Sequence, residues 1–85
     1  MGSYSVDIKR SAAEEIEGIP RKDRGRIIEH IRALADEPRP VGSQKLSARE
    51  AYRARQGRYR IVYTVSDADR VVMIAAVAHR RDAYR

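Results

Sequence analysis

The chain contains no cysteine and only two histidines among its 85 residues. The absence of cysteine excludes disulfide bonds and thiolate metal sites. His30 and His79 alone are too few for a typical zinc site built from protein side chains. We therefore expect no metal ion and no cofactor.

Long apolar runs are also missing. No segment approaches the roughly 18 apolar residues of a membrane span, and the first residues lack the apolar stretch of a signal peptide. We therefore expect a cytoplasmic protein that does not contact a membrane. A hydrophobic content of 42% beside 35% charged residues is typical of a globular protein, and this length predicts one domain over residues 1–85.

Acidic residues are scarce in the second half of the chain. Residues 49–85 contain nine basic and four acidic residues, whereas residues 1–48 contain nine and eight. All nine basic residues of the second half are arginines. A concentration of arginine favours phosphate groups or an acidic protein as the partner. The alternative interpretation is a soluble basic surface with no specific partner.

Periodic patterns predict the first three elements. Alternating polar and apolar residues predict a strand over residues 3–9. Ser11 and Glu14 have the spacing of a helix capping box, so a short helix is predicted over residues 12–18. A second helix is predicted over residues 20–36. Each helix has one apolar face, so the helical hairpin should cover one face of a sheet.

Three further strands are predicted after a loop over residues 39–47. They cover residues 51–56, 59–65 and 70–78, and the short polar turns between them are typical of an antiparallel meander. The last strand is apolar on both sides, so we expect it inside the sheet. The predicted class is α+β: an N-terminal strand, a helical hairpin and a three-strand meander, with the helices on one face of a twisted sheet.

Arginines alternate with other residues along the first two strands of this meander. Side chains two positions apart share a face of a strand. Arg53 and Arg55 should therefore point to one side, and Arg58 and Arg60 should share one side of the next strand. The other side of that strand is apolar or aromatic and should meet the helices. We therefore predict an exposed, arginine-lined concave face opposite the helices.

Four sequence motifs carry a family resemblance. The specific ones are Gly-x-Tyr-Arg-Ile-Val-Tyr at residues 57–63 and His-Arg-Arg-x-x-Tyr at residues 79–84. Pro38-Arg39-Pro40 with Lys45-Leu46, and Tyr52-Arg53-Ala54-Arg55, accompany them. Together with the order of the elements, these motifs resemble the RelE/ParE superfamily of toxins from type II toxin–antitoxin systems, and the RelE branch more closely. The implied fold is RelE-like and similar to that of microbial ribonucleases.

The resemblance implies a ribosome-dependent endoribonuclease that cuts mRNA in the A site. In that branch a ribose 2′-OH attacks the adjacent phosphorus without a metal ion, which leaves a 2′,3′-cyclic phosphate and a 5′-OH. The reaction needs a proton acceptor for the 2′-OH, stabilisation of charge on the phosphoryl oxygens and protonation of the leaving group. The implied partners are the ribosome, mRNA and a cognate acidic antitoxin, which would form a hetero-oligomer with the toxin.

The matching positions imply individual roles. Arg60 corresponds to the arginine that holds the scissile phosphate, Arg80 to a second basic residue near the leaving group, and Tyr84 to a tyrosine that orients or stacks on the nucleotide. Arg53 and Arg55 occupy two positions that are lysines in well-known members of the family. Further RNA contacts are expected from Arg58, Arg81, Arg85 and Lys45.

The arginines at positions 53 and 55 depart from the family pattern. A lysine among other cations can lose its proton and act as a base, whereas an arginine stays protonated. Arg53 and Arg55 can therefore hold phosphates, but they supply no clear general base. Tyr84, His79 and solvent are then the candidate proton acceptors, and a structural role for His79 is supported equally well.

Alternatives to this reading stay open at the level of sequence. The chain could be a ParE-like inhibitor of DNA gyrase, which needs no nuclease residues. It could also be a catalytically weak member that retains only antitoxin binding. For Arg60, the alternative to phosphate binding is an ion pair with Asp67, Asp69 or another surface acid.

Overall fold

A computed structural model describes residues 3–46 and 50–79 of the chain. Two helices and five strands follow one another within these residues, and the five strands belong to one sheet in the order β1-β5-β4-β3-β2. The elements are β1 (Ser5–Ile8), α1 (Arg10–Glu17), α2 (Arg21–Ala33), β2 (Gln44–Lys45), β3 (Ala51–Gln56), β4 (Tyr59–Ser66) and β5 (Val71–His79).

The predicted α+β architecture is confirmed. β3, β4 and β5 form an antiparallel meander, and the helical hairpin precedes it in the chain. β1 pairs in parallel with β5, with Ser5 opposite Val71. β5 therefore lies between β1 and β4, inside the sheet, as its apolar character on both sides predicted. Among the described residues, no helix combines the length and the apolar character needed to cross a membrane.

The loop predicted over residues 39–47 is wrong in one part, because it contains strand β2. Gln44 pairs with Arg53 and Lys45 pairs with Tyr52 in antiparallel register. A strand of two residues is too short to show an alternating pattern, so it forms because β3 offers a partner and not because of its own sequence. The consequence is that a polar side chain, that of Gln44, is carried to the edge of the sheet.

The predicted capping box at Ser11 is also wrong. α1 begins at Arg10, Lys9 occupies the N-cap position, and no side chain caps the helix. The helix cannot be preceded by a free capping segment, because pairing with the sheet continues up to Lys9. The Lys9 N–H donates to the Ile74 carbonyl oxygen at 3.0 Å, which holds Lys9 beside β5. Tertiary pairing therefore determines where the helix starts. The second helix ends at Ala33, three residues earlier than predicted.

The core lies between the sheet and the two helices. Ile61, Tyr63 and Val65 are buried on one side of β4, so the prediction that this side faces the helices is confirmed. The Tyr63 hydroxyl donates a hydrogen bond of 2.7 Å to the Pro38 carbonyl oxygen. The buried residues, in chain order, are Ala12, Ile16, Ile19, Ile27, Ile31, Leu34, Tyr52, Ala54, Ile61, Tyr63, Val65, Val72, Ile74 and Val77.

Candidate functional site

Three arginines meet on the face of the sheet opposite the helices. In the β3–β4 register, Arg55 lies directly opposite Arg60, and Arg53 lies opposite Val62. Directly opposed residues of an antiparallel pair project to the same side, about 5 Å apart at Cβ. Arg53, Arg55 and Arg60 therefore form one surface, which we call the arginine face. The predicted alignment of these side chains is confirmed.

The three side chains differ in exposure. Arg55 is exposed and Arg53 is half-buried, but Arg60 retains only 8% of its accessible surface. The prediction of an exposed Arg60 is therefore wrong. β4 is flanked on both sides at this position, by Arg55 on β3 and by Ala78 on β5. The alternation along β4 gives the side of the sheet on which Arg60 lies, but not how much of its side chain is covered.

The alternative ion pair between Arg60 and Asp67 or Asp69 is excluded. Arg60 stands near the start of β4, whereas both aspartates follow its end. A strand rises about 3.3 Å per residue, so the seven steps from Arg60 to Asp67 span about 23 Å. Asp67 instead accepts a hydrogen bond from Tyr4, and Asp69 accepts one from Ser66.

A cavity of about 280 Å³ opens beside the arginine face, lined by Gly42, Gln44, Arg53 and Arg55. The guanidinium of Arg53 donates a hydrogen bond to the side-chain oxygen of Gln44. Gly42 has a φ of +99°, a conformation that side-chain-bearing residues rarely adopt, so glycine is needed where the loop enters β2. None of the residues that line this cavity is acidic.

The surrounding hairpin is strongly positive. Residues 51–60 contain four arginines and no acidic residue. Arg58 is exposed in the turn between β3 and β4 and adds its charge at the end of the hairpin. Four arginines with no carboxylate among the residues of the hairpin create a local positive potential that attracts phosphate groups. Chemically, this arrangement can bind a phosphodiester and stabilise additional negative charge on it.

Lys45 and His79 stand apart from the arginine face. Lys45 pairs with Tyr52, a core residue, and its ammonium lies 3.4 Å from the Glu50 carboxylate. His79 pairs with Tyr59, and the two rings meet edge to face with their centroids 5.3 Å apart. Tyr59 packs against the core on the helix side of the sheet. The ring contact therefore places His79 on the side opposite Arg60.

A second polar cluster lies at the far end of β4 and contains one arginine with two carboxylates. Arg39 donates hydrogen bonds to the Tyr52 hydroxyl at 2.7 Å, to Asp67 at 3.0 Å and to Glu50 at 3.1 Å. Its guanidinium also lies over the Tyr52 ring, 5.2 Å from the centroid. We call Arg39, Glu50, Tyr52 and Asp67 the Arg39 cluster. It fastens the proline-containing loop to the sheet.

The electrostatics of the Arg39 cluster are those of a neutralised ion network. Hydrogen bonds from Arg39 and then from Tyr4 lower the pKa of Asp67. The Tyr52 hydroxyl, followed by Arg39, lowers the pKa of Glu50. The same contacts, led by Asp67, raise the pKa of Arg39. The positive charge of Arg39 is therefore balanced within the fold.

Sequence reasoning missed both Gln44 and the Arg39 cluster. Gln44 follows a glycine-containing loop, where no periodic pattern indicates which side chains reach the sheet. Arg39, Glu50 and Asp67 are far apart in the chain, and only the Pro38-Arg39-Pro40 motif draws attention to one of them. The other predicted site residues lie outside the described residues; they are Arg80, Arg81, Tyr84 and Arg85. Within residues 3–46 and 50–79, no cluster of three metal-ligating side chains is present.

Comparisons with known proteins agree with this architecture. The sequence model of a family described as the ParE toxin of type II toxin–antitoxin systems (parDE) matches residues 6–84. The toxin RelE of Mycobacterium tuberculosis is 31% identical over 84 residues, which cover 96% of this chain and 87% of that protein. The toxin RelG of the same organism is 30% identical over 84 residues, which cover 96% of this chain and 97% of that protein.

A solved structure shows the same fold. In the archaeal RelE–RelB complex from Pyrococcus horikoshii, one chain superposes with a TM-score of 0.81 at 27% identity. The match covers 92% of this chain and 96% of that chain. With a family model matching nearly the whole sequence, and with relatives and a solved structure of the same type, the chain belongs to the RelE/ParE superfamily of type II toxin–antitoxin toxins.

Proposed function

We propose that this toxin is a metal-independent endoribonuclease that cleaves mRNA in the ribosomal A site and thereby inhibits translation. The observation that carries the proposal is the opposed pair Arg55 and Arg60 on a sheet face whose hairpin contains no acidic residue. Guanidinium groups in fixed positions suit a reaction that places additional negative charge on phosphoryl oxygens. The names of the relatives, RelE and RelG, support the same branch.

In the proposed mechanism, the 2′-OH of one ribose attacks the adjacent phosphorus and the 5′ oxygen departs. Arg60 holds the scissile phosphate, and its burial limits the orientations open to the guanidinium. Arg80 stabilises the departing 5′ oxygen, and Tyr84 stacks on or orients the nucleotide. Arg53 and Arg55 bind mRNA phosphate beside the scissile one. Weaker RNA contacts come from Arg58, Arg81 and Arg85.

The proton acceptor for the 2′-OH is the weak point of this chemistry. Arginine cannot act as a base at neutral pH, so Arg53 and Arg55 serve only as phosphate ligands. The ring of His79 packs on Tyr59, on the helix side of the sheet, so it is a poor candidate for a proton acceptor at Arg60. We infer that the proton passes to Tyr84 or to solvent, and that the intrinsic rate is modest compared with lysine-containing relatives.

The proposed partners are the ribosome with its mRNA and an acidic antitoxin. The solved relative from Pyrococcus horikoshii is a complex with an antitoxin, RelB. This chain carries a formal net charge of +6, which favours association with an acidic segment. We propose that residues 1–85 form a single toxin domain and that the toxin acts in the cytoplasm, where ribosomes are found.

Inhibition of DNA gyrase is the second candidate, because the family model that matches is that of ParE toxins. Induction of the toxin in cells, followed by mapping of mRNA 5′ ends by primer extension, distinguishes the two. An endoribonuclease gives new 5′ ends within codons while DNA replication continues at first. A chain with Arg60→Ala is the matched control and should give none. Intact mRNA together with trapped gyrase–DNA complexes would refute the nuclease proposal.

A further inference from the structure

Gln44 is the side chain that contacts the guanidinium of Arg53. β2 contains only two residues, and its pairing places Gln44 directly opposite Arg53 at the edge of the sheet. The Gln44 side-chain oxygen accepts the hydrogen bond from the Arg53 guanidinium. Both residues line the cavity of about 280 Å³ beside the arginine face. Because a long arginine side chain has many rotamers, such a contact selects a few of them.

Two arginines in this fold are held in different ways. Arg39 is held by the carboxylates of Glu50 and Asp67, which balance its charge. Arg53 is held by the amide of Gln44, which is neutral, and the remaining residues that line the cavity are Gly42 and Arg55. An amide oxygen can orient a guanidinium without cancelling its positive charge. Arg53 therefore keeps its full charge while its direction is restricted.

We propose that Gln44 is a positioning residue for RNA cleavage: it directs the Arg53 guanidinium into the cavity so that Arg53 and Arg55 together bind one phosphodiester of the mRNA. This inference rests on the proposed nuclease function. Arg53 and Arg55 are two positions apart on one face, which brings both guanidinium groups to the same cavity. A planar guanidinium held in one orientation binds phosphate oxygens with defined geometry.

Two substitutions at position 44 distinguish the orientation of the Arg53 guanidinium from its positive charge. Gln44→Ala removes the acceptor and leaves Arg53 fully charged but free to rotate. Gln44→Glu keeps an acceptor at the same place but introduces a carboxylate, which forms an ion pair with Arg53. Gln44→Ala should lose only the positioning of Arg53, whereas Gln44→Glu should also neutralise the positive charge that Arg53 offers to the phosphate.

A double-mutant cycle between positions 44 and 53 tests the inference. Cleavage of an A-site codon on programmed ribosomes is measured as kcat and KM for the wild type, Gln44→Ala, Arg53→Ala and the double variant. Misplacement of a transition-state ligand should lower kcat about tenfold in Gln44→Ala. In the Arg53→Ala background, Gln44→Ala should have no further effect, because the side chain that it positions is gone. Gln56→Ala, which removes a glutamine that contacts His30 instead, should leave cleavage unchanged.

The salt dependence of RNA binding provides an independent readout, with a single-stranded RNA oligonucleotide as the probe. Each phosphate contact contributes about 0.7 to the slope of log K against log salt concentration for single strands. Arg53→Ala and Gln44→Glu should each reduce the slope by about that amount. Gln44→Ala should leave the slope unchanged, because the charge is still present. Thermal melting of each variant establishes that β2 and the fold are intact.

The outcomes that overturn the inference are distinct from those that overturn the proposed function. If Gln44→Ala lowers cleavage equally with and without Arg53, then Gln44 acts on the fold of β2, and the inference is wrong. If Arg53→Ala impairs cleavage but Gln44→Ala does not, the inference is again wrong while the nuclease function stands. If the wild type neither cleaves mRNA on ribosomes nor binds the oligonucleotide, both proposals fall together.

Discussion

Removal of one hydroxyl from the core should measurably destabilise the fold. Tyr63 has no accessible surface, and its hydroxyl donates to the Pro38 carbonyl oxygen at 2.7 Å. Burial raises the pKa of Tyr63, so the neutral phenol is the relevant donor. The substitution Tyr63→Phe keeps the ring and its stacking on Tyr52, 5.7 Å between centroids. The perturbation is therefore confined to one hydrogen bond.

The expected loss of stability follows from the energy of one buried hydrogen bond and from the cost of leaving its acceptor unpaired. A buried donor–acceptor pair contributes about 1 kcal/mol net, and a carbonyl left without its partner costs about 1–3 kcal/mol. We therefore expect Tyr63→Phe to lower the free energy of unfolding by about 1–2 kcal/mol. For a domain of this size, each 1 kcal/mol corresponds to roughly 4–8 °C in Tm. The expected fall in Tm is thus about 4–16 °C.

Thermal melting followed by far-UV circular dichroism measures this difference, and Tyr4→Phe is the matched control. The Tyr4 hydroxyl donates to Asp67, but that hydrogen bond is exposed to solvent. Water can replace an exposed partner, so we expect the control to change Tm by much less than Tyr63→Phe does. Equal shifts in the two variants would contradict the argument, because burial would then not determine the cost of the lost hydroxyl.

Three further predictions concern the arginines and the C-terminal tyrosine. Arg60→Ala should reduce cleavage by about 100–1,000-fold, the usual loss for one transition-state hydrogen-bond donor. The assay is kcat on programmed ribosomes, with thermal melting to establish that the variant is folded. Full activity of this variant would show that Arg60 is not part of the site. The folded protein lowers the pKa values of Asp67 and Glu50. The two ionised carboxylates therefore stabilise the fold fully above the unfolded-state pKa of about 4, and this contribution is lost as the pH falls through the folded-state pKa. The difference in Tm between the wild type and Arg39→Ala should therefore be largest near neutral pH and should shrink in acid, and a difference independent of pH would show that the ion pairs do not contribute. Tyr84→Phe should retain more cleavage activity than Tyr84→Ala if stacking is the main role of Tyr84, and equal losses would assign the role to the hydroxyl.

Sequence patterns were sufficient for the elements that have many periodic positions. The alternation of Ile61, Tyr63 and Val65 predicted correctly which side of β4 meets the helices. The same alternation placed Arg60 on the opposite side, but it could not give the exposure of that side chain. The exposed fraction of a side chain depends on the tertiary contacts around it, and alternation along one strand does not reveal those contacts. The sequence therefore predicted the direction of the Arg60 side chain and not its burial.

The parts of the site that escaped prediction depend on contacts between distant segments. β2 exists only because β3 lies beside it, so no local pattern could reveal that Gln44 contacts Arg53. The start of α1 is determined by a hydrogen bond from Lys9 to β5, not by the residue best suited to cap a helix. In both cases the energy of tertiary pairing exceeds the local preference, which is worth about 1 kcal/mol or less per residue.

The parallel pairing of β1 with β5 has a consequence for folding kinetics. Ser5 lies opposite Val71, so the sheet joins the first strand to the last one and its contact order is raised. Closing so long a loop is entropically costly, and proteins with many such contacts fold slowly. The β3–β4 hairpin, which carries the arginine face, needs only local contacts and can form early. The cationic surface should therefore be assembled before the sheet is complete, so a partially folded toxin already presents the charges that attract RNA or an acidic partner.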